Sequence, residues 1–126
     1  MLRVCLAGAT GWAGSELARA MAALNDLSLV AAVSRQHAAG NLGEVLGVPD
    51  LTTPIYSSAT EALADGCDVF VEYTKPEIAK ANILTALEHG AHVVVGTSGL
   101  TDDDFAEIEV VAAKRSGVSW PAATSL

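Results

Sequence analysis

Residues 8–14 read Gly-Ala-Thr-Gly-Trp-Ala-Gly, directly after a short apolar run. The spacing G-x-x-G-x-x-G suits the close approach of backbone N–H groups to a phosphate. Gly8 would let the chain leave a strand sharply, and Gly11 would let the backbone approach a pyrophosphate, in a positive-φ conformation. Gly14 would let the following helix pack closely on the sheet. The anion would then meet the unpaired N–H groups of the first helical turn, with Thr10, Trp12 and Ala13 completing the cradle. Trp12 would either shield the phosphates or lie over the helix start. A glycine triplet alone also serves an empty β–α turn; between a buried strand and a helix it points to a dinucleotide.

Further positions extend this chemistry. Twenty residues past Gly14 stand Ser34 and Arg35, where a carboxylate would favour the unphosphorylated adenosine ribose. A hydroxyl beside a guanidinium instead suits a 2′-phosphate, so NADP(H) is the preferred cofactor and NAD(H) the alternative. Gly96-Thr97-Ser98-Gly99 and Glu72-Tyr73-Thr74-Lys75-Pro76 each follow an apolar run. At the carboxyl ends of parallel strands both loops would face the nicotinamide end of one crevice. Lys75 there would offer positive charge to an acidic substrate, or stand solvated at a helix start.

The elements that must hold these loops are legible from periodicity. Leu2–Ala7, Leu27–Val33, Asp68–Tyr73 and His92–Val95 read as buried strands, and Val118–Trp120 as a last one stopped by Pro121. A helix with Ala13, Leu17, Ala20, Met21 and Leu24 on one face follows the glycines. Residues 34–54, rich in Gly and Pro, read mostly as loop, and Thr60–Ala64 as a short helix. Thr74 with Glu77 forms a capping box, with Pro76 tolerated in the first turn, for a helix burying Ala79, Ile83, Ala86 and Leu87 and stopping at Gly90. Thr101 caps a final helix, with Phe105, Ile108, Val111 and Ala112 inward and Gly117 ending it. Strands alternating with helices imply an α/β fold: a doubly wound, mainly parallel, Rossmann-like sheet in a single domain over residues 1–126.

Composition narrows the partners. The net charge of −8, with only seven Lys and Arg, argues against nucleic acid and anionic membranes. No segment is long enough to span a bilayer, so a soluble, cytoplasmic protein is expected. Cys5 and Cys67 lie in apolar segments, as reduced buried thiols would. His89 and His92 flank a turn without a third ligand, so no metal is expected. No catalytic nucleophile or general acid is evident.

Together, GATGWAG, VEYTKP and VVGTSGL resemble the 4-hydroxy-tetrahydrodipicolinate (dihydrodipicolinate) reductase family, over Leu2 to about Val118. That family shows an early glycine motif, then D-[FY]-[ST]-x-P, then V-[IV]-G-T-[TS]-G. The resemblance implies NAD(P)H-dependent reduction of a cyclic unsaturated dicarboxylate on the route to diaminopimelate and lysine. It assigns pyrophosphate to Gly8, Gly11 and Gly14, and the adenosine ribose to Ser34 and Arg35. Gly96, Thr97, Tyr73 and Thr74 would surround the nicotinamide, with Thr97 also reaching substrate beside Ser98 and Lys75. Glu72 stands where Asp is usual, and Trp12 where a basic residue is common. The chain ends where the family's substrate-binding and tetramer-forming domain would begin, so the 126 residues alone are expected to bind cofactor without turnover. Any oligomer would have to form without that surface. Two other readings fit the same residues: a catalytically silent NADP(H)-sensing module, and another GATG-type reductase such as a semialdehyde dehydrogenase.

Overall fold

Within Leu2–Ala7 (β1), Val4 to Ala7 is apolar without alternation because both of its faces are covered. Val4 and Leu6 face one buried cluster, Cys5 and Ala7 the other. In the computed structural model, which describes residues 2–97 and 99–114, β1 is the centre of a five-stranded sheet. It pairs in parallel with Leu27–Val33 (β2) on one side and Val69–Glu72 (β4) on the other. Ile55–Tyr56 (β3) extends the first flank and His92–Val95 (β5) the second, giving the order β3-β2-β1-β4-β5, every ladder parallel. The chain thus winds outward from β1, returns, and winds outward again. This reversal opens a crevice above the carboxyl ends of β1 and β4.

Helices cover both faces. Trp12–Ala22 (α1) and Leu42–Leu46 (α2) pack on the Val4, Leu6 and Val71 side. Ala59–Ala62 (α3), Pro76–Glu88 (α4) and Asp102–Ala113 (α5) pack on the Cys5, Ala7 and Phe70 side. The doubly wound α/β architecture expected from the sequence is the one found. None of the helices, among the described residues, is long and apolar enough to cross a membrane.

Several local expectations are corrected. The buried face of α1 is Gly14 and Ala18 with half-buried Leu17 and Met21, whereas Ala13, Ala20 and Leu24 are exposed. The small residues face inward because the helix start lies almost on the sheet. Residues 34–54 are mostly loop, as expected, but hold one short helix: Asn41 caps α2 by accepting from Gly43 N–H at 2.8 Å, and Leu42 is fully buried. Thr74 does not cap α4; the N-cap is Lys75, with no side-chain hydrogen bond. The Thr101–Asp104 capping box of α5 is present, and Gly90, at φ 80°, follows the end of α4. Cys67 is half-buried rather than buried. The expected strand Val118–Trp120, with its Gly117 and Pro121 boundaries, lies outside the described residues.

The first turn holds one of the closest approaches in the fold. A β-carbon on Gly14 would stand 1.9 Å from the Gly8 carbonyl oxygen, which no rotamer change relieves. At Gly11 the nearest atom would be 3.2 Å away. Gly14→Ala should therefore lose about 2–3 kcal/mol or fail to fold, as overpacking of backbone does. Gly11→Ala should lose under about 1 kcal/mol. Urea unfolding of the two variants tests this; equal losses would refute the packing account.

Candidate functional site

The glycine turn is built from backbone contacts. Gly8 adopts φ 83°, and a β-carbon there would meet the Tyr73 carbonyl oxygen at 2.5 Å. Its N–H donates to Val33 O at 3.0 Å, and its carbonyl accepts from Gly11 N–H at 3.0 Å. The positive φ expected at Gly11 is not found. Gly11 is the extended N-cap of α1, with φ −72°, and the left-handed step is taken by Gly8. Because Gly11 has no side chain, α1 starts without a side-chain cap, leaving its first-turn N–H groups, from Trp12, Ala13 and Gly14, for a ligand. Ser15 does not cap either; its hydroxyl donates to Trp12 O at 2.9 Å. The Trp12 side chain is 92% exposed and so covers nothing in the free domain.

The turn is tied to the end of β2. The Thr10 and Ser34 hydroxyls lie 2.8 Å apart, a coupling that neither motif announces by itself. Arg35, exposed beside Ser34, takes part in none of the ion pairs found among the described residues. Ser57 and Ser58, after β3, join the same wall. They escaped sequence reading because a two-residue strand has no period to detect.

The other two loops meet as expected. Thr97 Oγ1 donates to Thr74 O at 2.8 Å, with a longer 3.3 Å approach to Glu72 O. Gly96 N–H donates to Glu72 O at 2.8 Å, and the Tyr73 ring lies where a Gly96 β-carbon would be. Ser98 lies outside the described residues. Thr74 fails to cap α4 because both its hydroxyl and its N–H donate to Glu72 Oε1, the N–H at 2.9 Å. Glu72 itself is fully buried. Asn82 approaches its carboxyl from α4 and favours the ionised form, yet neither Glu72 Oε2 nor Asn82 Nδ2 completes a hydrogen bond of good geometry. Burial outweighs these contacts and holds the Glu72 carboxyl above the usual glutamate range. Asn82, a polar residue within the apolar face of α4, was the sequence signal for this pair.

A cleft of about 690 Å³ joins these parts, lined among others by Gly8, Gly11, Ser34, Arg35, Thr74 and Lys75. Two helices that begin at this cleft, α1 and α4, lack side-chain caps, whereas Asn41, Ser58 and Thr101 cap α2, α3 and α5, α3 also starting at the cleft wall. Lys75 places a cation at the positive end of α4, which is locally unfavourable and suits an anion in the cleft. Away from the cleft, His89 caps the end of α4, with Nδ1 2.8 Å from Thr85 O. Among the described residues no group of His, Cys, Asp or Glu is placed to hold a metal ion. Burial drives the Cys5 thiol far up, so it stays protonated.

A buried strand ending in a glycine turn, an uncapped helix and a crevice at the sheet's reversal define a Rossmann-like nucleotide-binding domain. The family described as dihydrodipicolinate reductase, N-terminus, matches residues 2–122. This chain belongs to that family. It is 31% identical over 116 residues to the 4-hydroxy-tetrahydrodipicolinate reductase of Bacillus cereus, covering 91% of this chain and 44% of the relative. To the Listeria monocytogenes enzyme of the same name it is 30% identical over 115 residues, covering 90% and 44%. The chain thus spans less than half the length of these relatives. The fold is shared with a dipicolinate-bound dihydrodipicolinate reductase from Paenisporosarcina, at TM-score 0.75 and 23% identity, over 91% of this chain and 44% of that one. It is also shared with a biliverdin reductase from Synechocystis, at TM-score 0.73 and 21% identity, over 93% and 36%.

The raised Glu72 carboxyl has a consequence for stability. The folded state binds this proton more tightly than the unfolded state, so its contribution is fully present below the ordinary glutamate pKa. It is lost as pH rises through the folded value. Glu72→Gln, which mimics the neutral acid, should raise the thermal midpoint near pH 7, with the gain shrinking toward pH 4. A constant gap across that range, or a loss at pH 7, would contradict the assigned burial cost.

Proposed function

We propose that this chain is the cofactor-binding part of an NAD(P)H-dependent reductase of a cyclic unsaturated dicarboxylate, forming tetrahydrodipicolinate for diaminopimelate and lysine synthesis. The observation that carries the cofactor reading is the convergence of two uncapped helix starts on one cleft that also holds Ser34 and Arg35. Gly8, Thr10, Gly11, Trp12, Ala13 and Gly14 would hold the pyrophosphate through backbone N–H groups. Tyr73, Thr74, Gly96 and Thr97 would hold the nicotinamide, which when bound supplies the hydride. The reductase reading is supported by the names of the relatives, and by one structural neighbour being dipicolinate-bound and another carrying NADP+.

The preferred cofactor in this reading is NADP(H). The Thr10 bond fixes the Ser34 hydroxyl beside an unpaired guanidinium, a pairing suited to a phosphate monoester. Lys75, Thr97 and Ser98 would meet the substrate carboxylates. Thr97 already donates to Thr74 O, so it can accept from a ligand but must give up that bond to donate. The described residues around the cleft include no evident general acid. The remaining length of the relatives is where the proton donor and the rest of the substrate site would lie.

Arg35→Ala should weaken NADPH binding by about 1.5–3 kcal/mol, roughly ten- to a hundredfold, and leave NADH nearly unchanged. Calorimetric titration of both cofactors decides it, and equal losses would sink the 2′-phosphate assignment. The 126-residue chain should bind NADPH yet show no substrate-dependent loss of its absorbance, because positioning worth about 7–11 kcal/mol is missing. A fusion to a family-type second domain should restore turnover. Activity from the chain alone would overturn the cofactor-half reading.

A further inference from the structure

We propose that the buried carboxyl of Glu72 sets the preference of this site for the oxidised over the reduced nicotinamide, with binding of the oxidised form drawing off its proton. The inference rests on the cofactor reading above.

Glu72 ends β4 opposite Ala7 of β1 and Val95 of β5, at the carboxyl edge bordering the cleft. The two loops assigned to the nicotinamide hang from it. Thr74 donates twice to its Oε1, while Gly96 N–H donates to its carbonyl and the Thr97 hydroxyl lies 3.3 Å from it. Its side chain is fully buried, and none of the ion pairs among the described residues includes it. Its second oxygen has no partner. A merely structural acceptor for Thr74 would not need this charge, since a carboxamide offers Oε1 the same two bonds.

The groups around it leave the carboxyl as the charge that can respond. Cys5 faces it from β1 with a thiol that stays protonated. From α4 comes only the uncharged Asn82 carboxamide. From the β5 side comes the Thr97 hydroxyl, on the backbone carbonyl. The Tyr73 phenol and Lys75 ammonium line the cleft wall beyond Thr74.

Oxidised and reduced nicotinamide share nearly one shape and differ by one positive charge on the ring. Shape therefore discriminates little between them, and a nearby carboxylate in low dielectric discriminates directly. Burial opposes ionisation in the free domain. A cationic ring in the cleft favours it, and by linkage each event promotes the other.

The test measures dissociation constants of NADP+ and NADPH from pH 6 to 9 for the wild type, Glu72→Gln and Glu72→Asp. Taking the ratio of the two constants cancels titration of the 2′-phosphate they share. In the wild type NADP+ should gain on NADPH severalfold as pH rises, with proton release on NADP+ binding seen by calorimetry in two buffers. Glu72→Gln should weaken NADP+ roughly three- to tenfold, change NADPH less than about twofold, and give a flat ratio. Glu72→Asp, which keeps the charge, should keep the pH-dependent ratio. A flat ratio in the wild type, or equal weakening of both forms in Glu72→Gln, overturns the inference while leaving the cofactor reading intact. Failure of either form to bind the wild type overturns both.

Discussion

Three backbones meet at the end of β1 with no room for a side chain between them. The Gly8 carbonyl presses on Gly14 of α1, and the Gly8 α-carbon presses on the Tyr73 carbonyl after β4. Close-packed interiors transmit such contacts without slack. The position of α1, the path of the loop after β4 and the floor of the cleft are therefore fixed together. Gly8 also takes the left-handed step that turns the chain, which frees Gly11 to serve as an extended N-cap. The function of the turn follows from its packing: the tightness that excludes β-carbons also exposes N–H groups at the start of α1.

An acidic protein with a net charge of −8 has little cationic surface with which to attract an anion. The cleft supplies positive potential by other means. Two helix starts lack side-chain caps there, and the first-turn donors that a Ser or Asp would satisfy are left for a ligand. Arg35 and Lys75 add local charge to the lining of the cleft. The other three helices are capped by side chains, α3 by Ser58 in the cleft wall itself, so the missing caps occur only at helix starts on the cleft.

Glu72 expresses a conflict between stability and function. A carboxyl sealed between the sheet and α4, with one oxygen unpartnered, costs the fold free energy as soon as it ionises. Its compensation is local order: two donors from Thr74 shape the loop that Thr97 then braces. The same hydrogen bonds remove Thr74 from capping duty, leaving the start of α4 open toward the cleft.

Periodicity and turn chemistry determined the architecture here. Short apolar runs such as VCLA, closed by glycine, suit strands covered on both sides, and GATGWAG between such a run and a helical pattern specifies a tight β–α turn. Thr101 was legible as the cap of α5 for the same reason: its interaction with Asp104 is contained within four residues. What the sequence could not determine were the choices made by distant neighbours. Thr74 had a plausible local role as a cap, and only the burial of Glu72 drew its hydroxyl elsewhere. Thr10 and Ser34 met only because β1 and β2 are adjacent in the sheet. The α1 face was misjudged because hydrophobicity favours Leu24 and Ala20, while the sheet's proximity demanded Gly14 and Ala18. Local patterns encode which elements form, since their energetics are short-ranged; which side chains serve the site depended on contacts that exist only once the sheet has assembled.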